Sequence, residues 1–204
     1  DLSRLFNELS GYSAKHDYSR ILVAPHSLRK GLLAKITREK KNHLEGKTAW
    51  IRLKLNSLLD EEIIAALYEA ADAGVKIEII VRGICALQFS TQAQRENIKV
   101  RSILGRFLEH SRIYYFKNDG AEEYYIGSAD VMHRNLDRRV EALVRIDSEK
   151  HKERLCKILD DSVSDSYSTW ALLEDNNWQR KVRDFDGNLL VNFQDHFVEK
   201  HNRA

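Results

Sequence analysis

The stretch AWIRLKLNSLLDEEIIAALYEAADAGVKIEIIVRG, from Ala49 to Gly83, decides the fold class. It opens with alternation: Trp50, Arg52 and Lys54 fall on one side, Ile51, Leu53 and Leu55 on the other. A period of two marks a β-strand with two different faces. Asp60 then stands where a short carboxylate can accept from the free N–H groups of a first helical turn. Ile63, Ile64, Leu67 and Tyr68 follow at helical spacing, and Gly74 ends the helix. Lys76 to Val81 is a second strand, closed by Arg82-Gly83. Strand, helix and strand in so short a span form a crossover, which leaves the two strands parallel.

Working outward, Ile21 to Ala24 is a short buried strand stopped by Pro25, the only proline. Ser27 is placed to cap a long basic helix reaching about Leu44, with Gly46 ending it. Ile98 to Ile103, Arg112 to Lys117, Glu123 to Ile126 and Val140 to Ile146 add strands with shorter links, so some are antiparallel. His151 to Val163 reads as a helix packing back on the sheet, and Leu2 to Leu9 as a short amphipathic one. Beyond them, Thr169 to Leu173 and Gln179 to Val182 can pair as a hairpin, followed by a helix from Asn192 to Lys200. The expected fold is α/β, a mixed sheet flanked by helices. Its expected organisation is a domain over 1–165 and an extension over 166–204, hairpin plus helix, packed on the same domain, with Asp165 to Ser168 as the junction.

Composition narrows the function. The 204 residues carry 33 basic and 31 acidic side chains, a net charge of +2. So even a balance argues against nonspecific nucleic-acid binding, and any polyanion site must be a local arginine cluster. Cys85 and Cys156 lie far apart without a CxxC spacing and read as reduced thiols of a cytoplasmic protein. There is no run long enough to span a membrane, no signal-peptide pattern, no P-loop and no zinc-ligand spacing. Met132 is the only methionine, so the chain reads as a piece of a longer protein.

The chemistry gathers around His110. In SILGRFLEHSRIYY, from Ser102 to Tyr115, His110 precedes Arg112 by two residues, and the alternation of a strand would point both to one face. An imidazole can attack or pass a proton near neutral pH, and a guanidinium can hold a phosphate through two nitrogens. Taken alone, a histidine among apolar neighbours is most often structural; the company of Arg112, Gly127-Ser128 and Asp130 is what raises it. Arg82-Gly83 ends a strand, where ligands of α/β sheets bind and where glycine lets a ligand approach the backbone. The run from Arg134 to Glu141 places Arg134, Arg138 and Arg139 close together, with Asp137 and Glu141 able to orient them. Lys54 and Asn56 end their strand at the same edge. Phosphate-binding candidates are therefore Arg82, His110, Arg112 and Arg139, with Ser128 and Glu141 in support.

The His110-x-Arg112 and Gly127-Ser128-x-Asp130 spacing echoes the phospholipase D signature, in which histidine is the nucleophile and lysine and asparagine hold the phosphate. Here arginine stands for lysine, Asp130 for asparagine, and Lys117 occupies the slot of the signature's aspartate, with Asp119 two residues on. A phospholipase D-like phosphodiesterase or nuclease, contributing His110 twice as a homodimer, is one reading of these residues. A noncatalytic module for polyphosphate or nucleotide is another.

Longer segments narrow the choice. KLNSLLDEEIIAALYEAADAGVKIEIIVRGIC, RSILGRFLEHSRIYYF and YIGSADVMHRNLDRRVE closely resemble the second C-terminal, phospholipase D-like domain of polyphosphate kinases of the first type. LFNELSGYS and LVAPHSLR resemble that domain's start, and the resemblance loosens after Ile146. It implies reversible transfer of the terminal phosphate of ATP to polyphosphate through a phosphohistidine, with Mg2+ bound mainly by parts of the enzyme outside this chain. His110, in EHSR, matches the family's second essential histidine, and Arg82, in VRGIC, an ATP-binding arginine. The implied partners are ATP or ADP, polyphosphate and the rest of the same polypeptide, with no nucleic acid. Peripheral membrane association and a homo-oligomer are implied for the full-length enzyme, and the fragment alone is expected to be inactive.

Overall fold

A computed structural model describes residues 1–12 and 18–202, without the side chain of His201. Ser13, the end of the LFNELSGYS segment, lies outside them. The first helix, α1 (Leu2–Leu9), precedes β1 (Ile21–Ala24), α2 (Leu28–Leu44), β2 (Trp50–Leu55), α3 (Glu61–Asp72) and β3 (Lys76–Val81). Then come α4 (Gln92–Asn97), β4 (Ile98–Ser102), β5 (Ile113–Phe116), β6 (Glu123–Gly127) and β7 (Glu141–Ile146). The chain ends with α5 (Glu149–Val163), β8 (Tyr167–Leu172), β9 (Trp178–Lys181), β10 (Val191–Asn192) and α6 (Phe193–Asn202).

Among the described residues these strands form one sheet in the order β1-β7-β6-β5-β2-β3-β4-β8-β10, with β9 on β8. The three strands β2, β3 and β4 are parallel to one another, and β5, β6, β7 and β1 continue the sheet antiparallel. β8 pairs antiparallel with β4, which carries residues beyond 165 into the same sheet. The expected mixed sheet is therefore present, and β8 and β9 pair antiparallel as a hairpin, with Thr169 opposite Lys181 and Leu172 opposite Trp178.

Each face of the sheet is covered because each strand alternates. Ile51, Leu53, Leu55, Ile77, Ile79 and Val81 join Leu32 and Ile36 of α2 and Ile63 and Leu67 of α3 in the larger core. On the other face Ile80, Ile113, Tyr115 and Tyr124 pack with Leu159 of α5 and Phe193 of α6. Arg52 projects into this second layer, 1% exposed. Its Nε donates to Glu78 at 2.8 Å, its Nη1 donates to Asp160 at 2.7 Å, and it lies over the Trp50 ring. A buried cation survives only when paired in this way.

Asp60 caps α3 as expected, accepting from Ile63 N at 3.1 Å. Ser27 holds the cap position of α2, but its hydroxyl turns back to β1, accepting from Val23 N and donating to Val23 O. The helix α4 was not foreseen: its sequence has no apolar stripe, and it is set by a capping box between Thr91 and Gln94. Glu39, fully buried on the basic helix α2, accepts from the N–H groups of Trp50 and Asn118 and so ties α2 to the start of β2 and the β5–β6 turn. No described helix is long and apolar enough to cross a membrane.

Candidate active site

The register puts the C-terminal ends of β2, β3, β4 and β6 beside the first residues of β5 and β7, along one edge of the sheet. Every candidate residue falls on that edge or on a loop leaving it. Open α/β sheets bind ligands there because the connecting loops diverge and leave room.

The β4–β5 loop brings His110 to this edge. Strand β5 begins only at Ile113, so His110 and Arg112 do not share a face by strand alternation as expected. They meet because the Arg112 side chain folds back along the loop. Arg112 Nη1 donates to His110 O at 2.9 Å and lies 3.0 Å from His110 Nδ1, while Nη2 lies 3.3 Å from Nε2. A neutral imidazole has one accepting nitrogen and one N–H, so Arg112 donates to whichever is bare. His110 stays exposed while Arg112 is largely covered.

Behind Arg112 stands Asp130, whose Oδ2 accepts from Arg112 Nη2 at 2.8 Å. Asp130 is fixed in turn by Asn56 N at 2.7 Å and Ser57 N at 3.3 Å, both donating to Oδ1. The edge of β2 thus holds the carboxylate, the carboxylate holds the guanidinium, and the guanidinium holds the histidine loop. Tyr114, on β5, is buried below and donates to Ala129 O at 2.8 Å. Burial, and then the charge of Asp130, push its hydroxyl far above the ordinary tyrosine pKa, so it stays protonated.

The neighbouring residue, Glu109, joins Arg82 and Lys54 to the same loop. Arg82 Nη1 donates to Glu109 O at 2.9 Å, and Lys54 Nζ pairs with the Glu109 carboxylate at 2.8 Å. Lys54 is almost wholly buried, and burial lowers its pKa despite that partner. Gly83 is required by close approach: a Cβ there would come within 2.8 Å of Asn56 O.

His110 and Arg112 line a cavity of about 870 Å³ with Phe107, Gln194 and the apolar side chains Ile126 and Phe197. Arg82 opens instead on a hollow of about 230 Å³ with Gly83, Ser102 and Trp170. The two residues therefore meet at Glu109 rather than within one cleft. Arg139 remains exposed just before β7, with Nη1 3.9 Å from Glu141 Oε1. Among the described residues it makes no contact with His110 or Arg112. Glu141 accepts from Asn135 Nδ2 at 2.7 Å, and Ser128 Oγ accepts from Ala142 N at 3.3 Å. These two shape the β6–β7 corner and do not touch the histidine. Asp137 pairs with Arg29 and His133. Cys85 and Cys156 are free thiols.

Asp130 and Glu109 were not among the candidates, although Asp130 sits at the asparagine place of the Gly-Ser motif. The carboxylates beside His110 are committed to Arg112, Lys54 and backbone N–H groups, and no cluster of metal-ligating side chains occurs among the described residues. These donors do not fit a metal ion.

Residues 21–192 match the model of the polyphosphate kinase C-terminal domain 2. The chain belongs to that family. It is 49% identical over 203 residues to a polyphosphate kinase of Streptomyces coelicolor, covering 100% of this chain and 27% of that protein. It is 45% identical over 205 residues to one of Mycobacterium tuberculosis, again covering 27% of its length. The chain thus spans little more than a quarter of the curated relatives it matches. A solved polyphosphate kinase of Porphyromonas gingivalis superposes with a TM-score of 0.88 at 33% identity, over 100% of this chain and 32% of that one. Nuc of Salmonella typhimurium, a phospholipase D family member, superposes with a TM-score of 0.51 at 17% identity, over 79% of this chain and 97% of that one. That likeness shows the fold: a phospholipase D-like mixed sheet flanked by helices.

Proposed function

We propose that this chain forms one wall of the active site of a polyphosphate kinase, which transfers the terminal phosphate of ATP reversibly to polyphosphate in the cytoplasm. The observation that carries the reading is the relay Asp130–Arg112–His110, next to Arg82, on the ligand-binding edge of a family fold. Phosphoryl transfer is mainly positioning and charge neutralisation, so an exposed imidazole seated on an anchored guanidinium suits it. His110 gives or takes a proton, or stabilises charge, beside the phosphoryl group in transit. Arg112 and Arg82 neutralise phosphate oxygens, and Arg139, exposed on the same edge, reaches the polyphosphate chain. The histidine that is itself phosphorylated belongs to the rest of the polypeptide, and so do the groups that hold Mg2+ with the nucleotide. This chain alone is accordingly inactive.

The test is the full-length protein supplied with ATP labelled in its terminal phosphate. Label should enter polyphosphate, and adding ADP with polyphosphate should return it to ATP. A protein that instead cleaves phosphodiesters and leaves ATP untouched would refute the reading.

A further inference from the structure

The helix α6 holds the loop that carries His110. Gln194, in its first turn and 6% exposed, makes a two-sided amide clamp on Phe107. Its Oε1 accepts from Phe107 N at 2.7 Å, and its Nε2 donates to Phe107 O at 2.8 Å. The clamp closes only because residue 105 is glycine: a Cβ at Gly105 would overlap Gln194 Oε1. The neighbouring Phe193 reaches the same loop by a second route. Its ring lies 5.4 Å from Lys54 Nζ, and Lys54 pairs with Glu109 at 2.8 Å. Residues 107 and 109 are therefore both tied to the first turn of α6, and His110 comes next. Asn192 fixes that turn by capping it, with Oδ1 accepting from Gln194 N at 2.9 Å.

Resting on the functional reading above, we propose that Gln194 is a positioning residue for His110. It touches no substrate. Within the loop Glu109 N donates to Phe107 O at 3.0 Å, and the clamp adds a partner to both backbone polar groups of Phe107, three residues before His110. A misplacement of about 1 Å in a reacting group can cost about 100-fold in rate.

The experiment uses the full-length enzyme with Gln194→Ala, Gly105→Ala and both together. Gln194→Ala should lower kcat for polyphosphate synthesis about 10- to 100-fold, with KM for ATP little changed. Amide exchange, read by mass spectrometry, should rise across residues 104–112 and stay unchanged in the strands. Gly105→Ala should do the same by expelling the clamp. In the double variant the clash is gone, so the second substitution should add no further loss, as expected for two changes acting on one contact. If Gln194→Ala does not fold, Gln194→Glu keeps the volume and the accepting oxygen while losing the donor, and should still lower kcat. Wild-type kcat per folded molecule, or losses that simply multiply in the double variant, would overturn the proposal. A wild-type enzyme that makes no polyphosphate sinks the functional reading instead, and the exchange comparison then decides the clamp by itself.

Discussion

At the scale of single residues, the account turns on Asp130. It is 6% exposed and links the edge of β2 to Arg112. Removing one partner of a buried ion pair leaves the other charge uncompensated and costs about 3–5 kcal/mol. Asp130→Asn should therefore destabilise the protein by about that amount. Its amide oxygen can still accept from Asn56 N, but its amide nitrogen would face the Arg112 guanidinium. Urea unfolding at neutral pH measures this, and a loss below about 1 kcal/mol, as for an exposed pair, would mean that Arg112 finds another partner. Much of this site is readable in the sequence. His110 and Arg112 stand two apart, and Gly127-Ser128-x-Asp130 supplies the second half. The contact itself is not, because it comes from an arginine folding back along a loop rather than from strand alternation. Nor is Gln194, which lies 87 residues from Phe107 with no motif around it.

At the scale of elements, Glu123 shows how α2 is fastened to the sheet. Its carboxylate, at the start of β6, accepts from Lys35 Nζ at 2.8 Å and Arg38 Nη2 at 3.1 Å. Burial alone would raise its pKa, but the hydrogen bonds from Arg38 and Lys35 outweigh burial and the net shift is downward from 4.5. A carboxylate with a depressed folded pKa binds protons more readily when unfolded, so its contribution is full above the unfolded value and is lost as pH falls through the folded one. The wild-type protein should lose stability as pH drops below 4.5, and Glu123→Gln should flatten part of that slope. The substitution should also cost about 1.5–3 kcal/mol at neutral pH, the range for hydrogen bonds to charged groups. Thermal melts of both proteins between neutral and acid pH check both statements, and parallel curves would contradict the first. The elements themselves follow sequence pattern where apolar spacing is strong, as in Trp50–Leu55 and Glu61–Asp72. They escape it where capping or pairing decides: α4 has a capping box but no stripe, and β10 is only two residues long.

For the whole molecule, the charges nearly balance, and the candidate phosphate-binding cations are a local feature of one edge. The 33 basic and 31 acidic residues leave a net +2, yet Arg112, Arg139, Arg82 and His110 gather at one edge of the sheet. Attraction of a polyanion to such a cluster is screened by salt, over a length that shrinks from about 10 Å at 0.1 M to about 3 Å at 1 M. Polyphosphate binding by this chain should be weak and should fall steeply across that range. Titration by calorimetry or filter retention measures it, and tight binding indifferent to salt would contradict it. The fold and its family were legible because long segments around the site carry them; the assembly with the remaining three quarters of the relatives' length is not written in this chain. The central claim is that His110 acts on the phosphoryl group in transit. It is tested most directly by the initial rate of ATP-dependent polyphosphate formation in full-length His110→Ala, with circular dichroism as the control for folding. The account predicts a folded enzyme slowed about 10²- to 10⁴-fold, the contribution of a general acid or base; a folded enzyme running at the wild-type rate would contradict it.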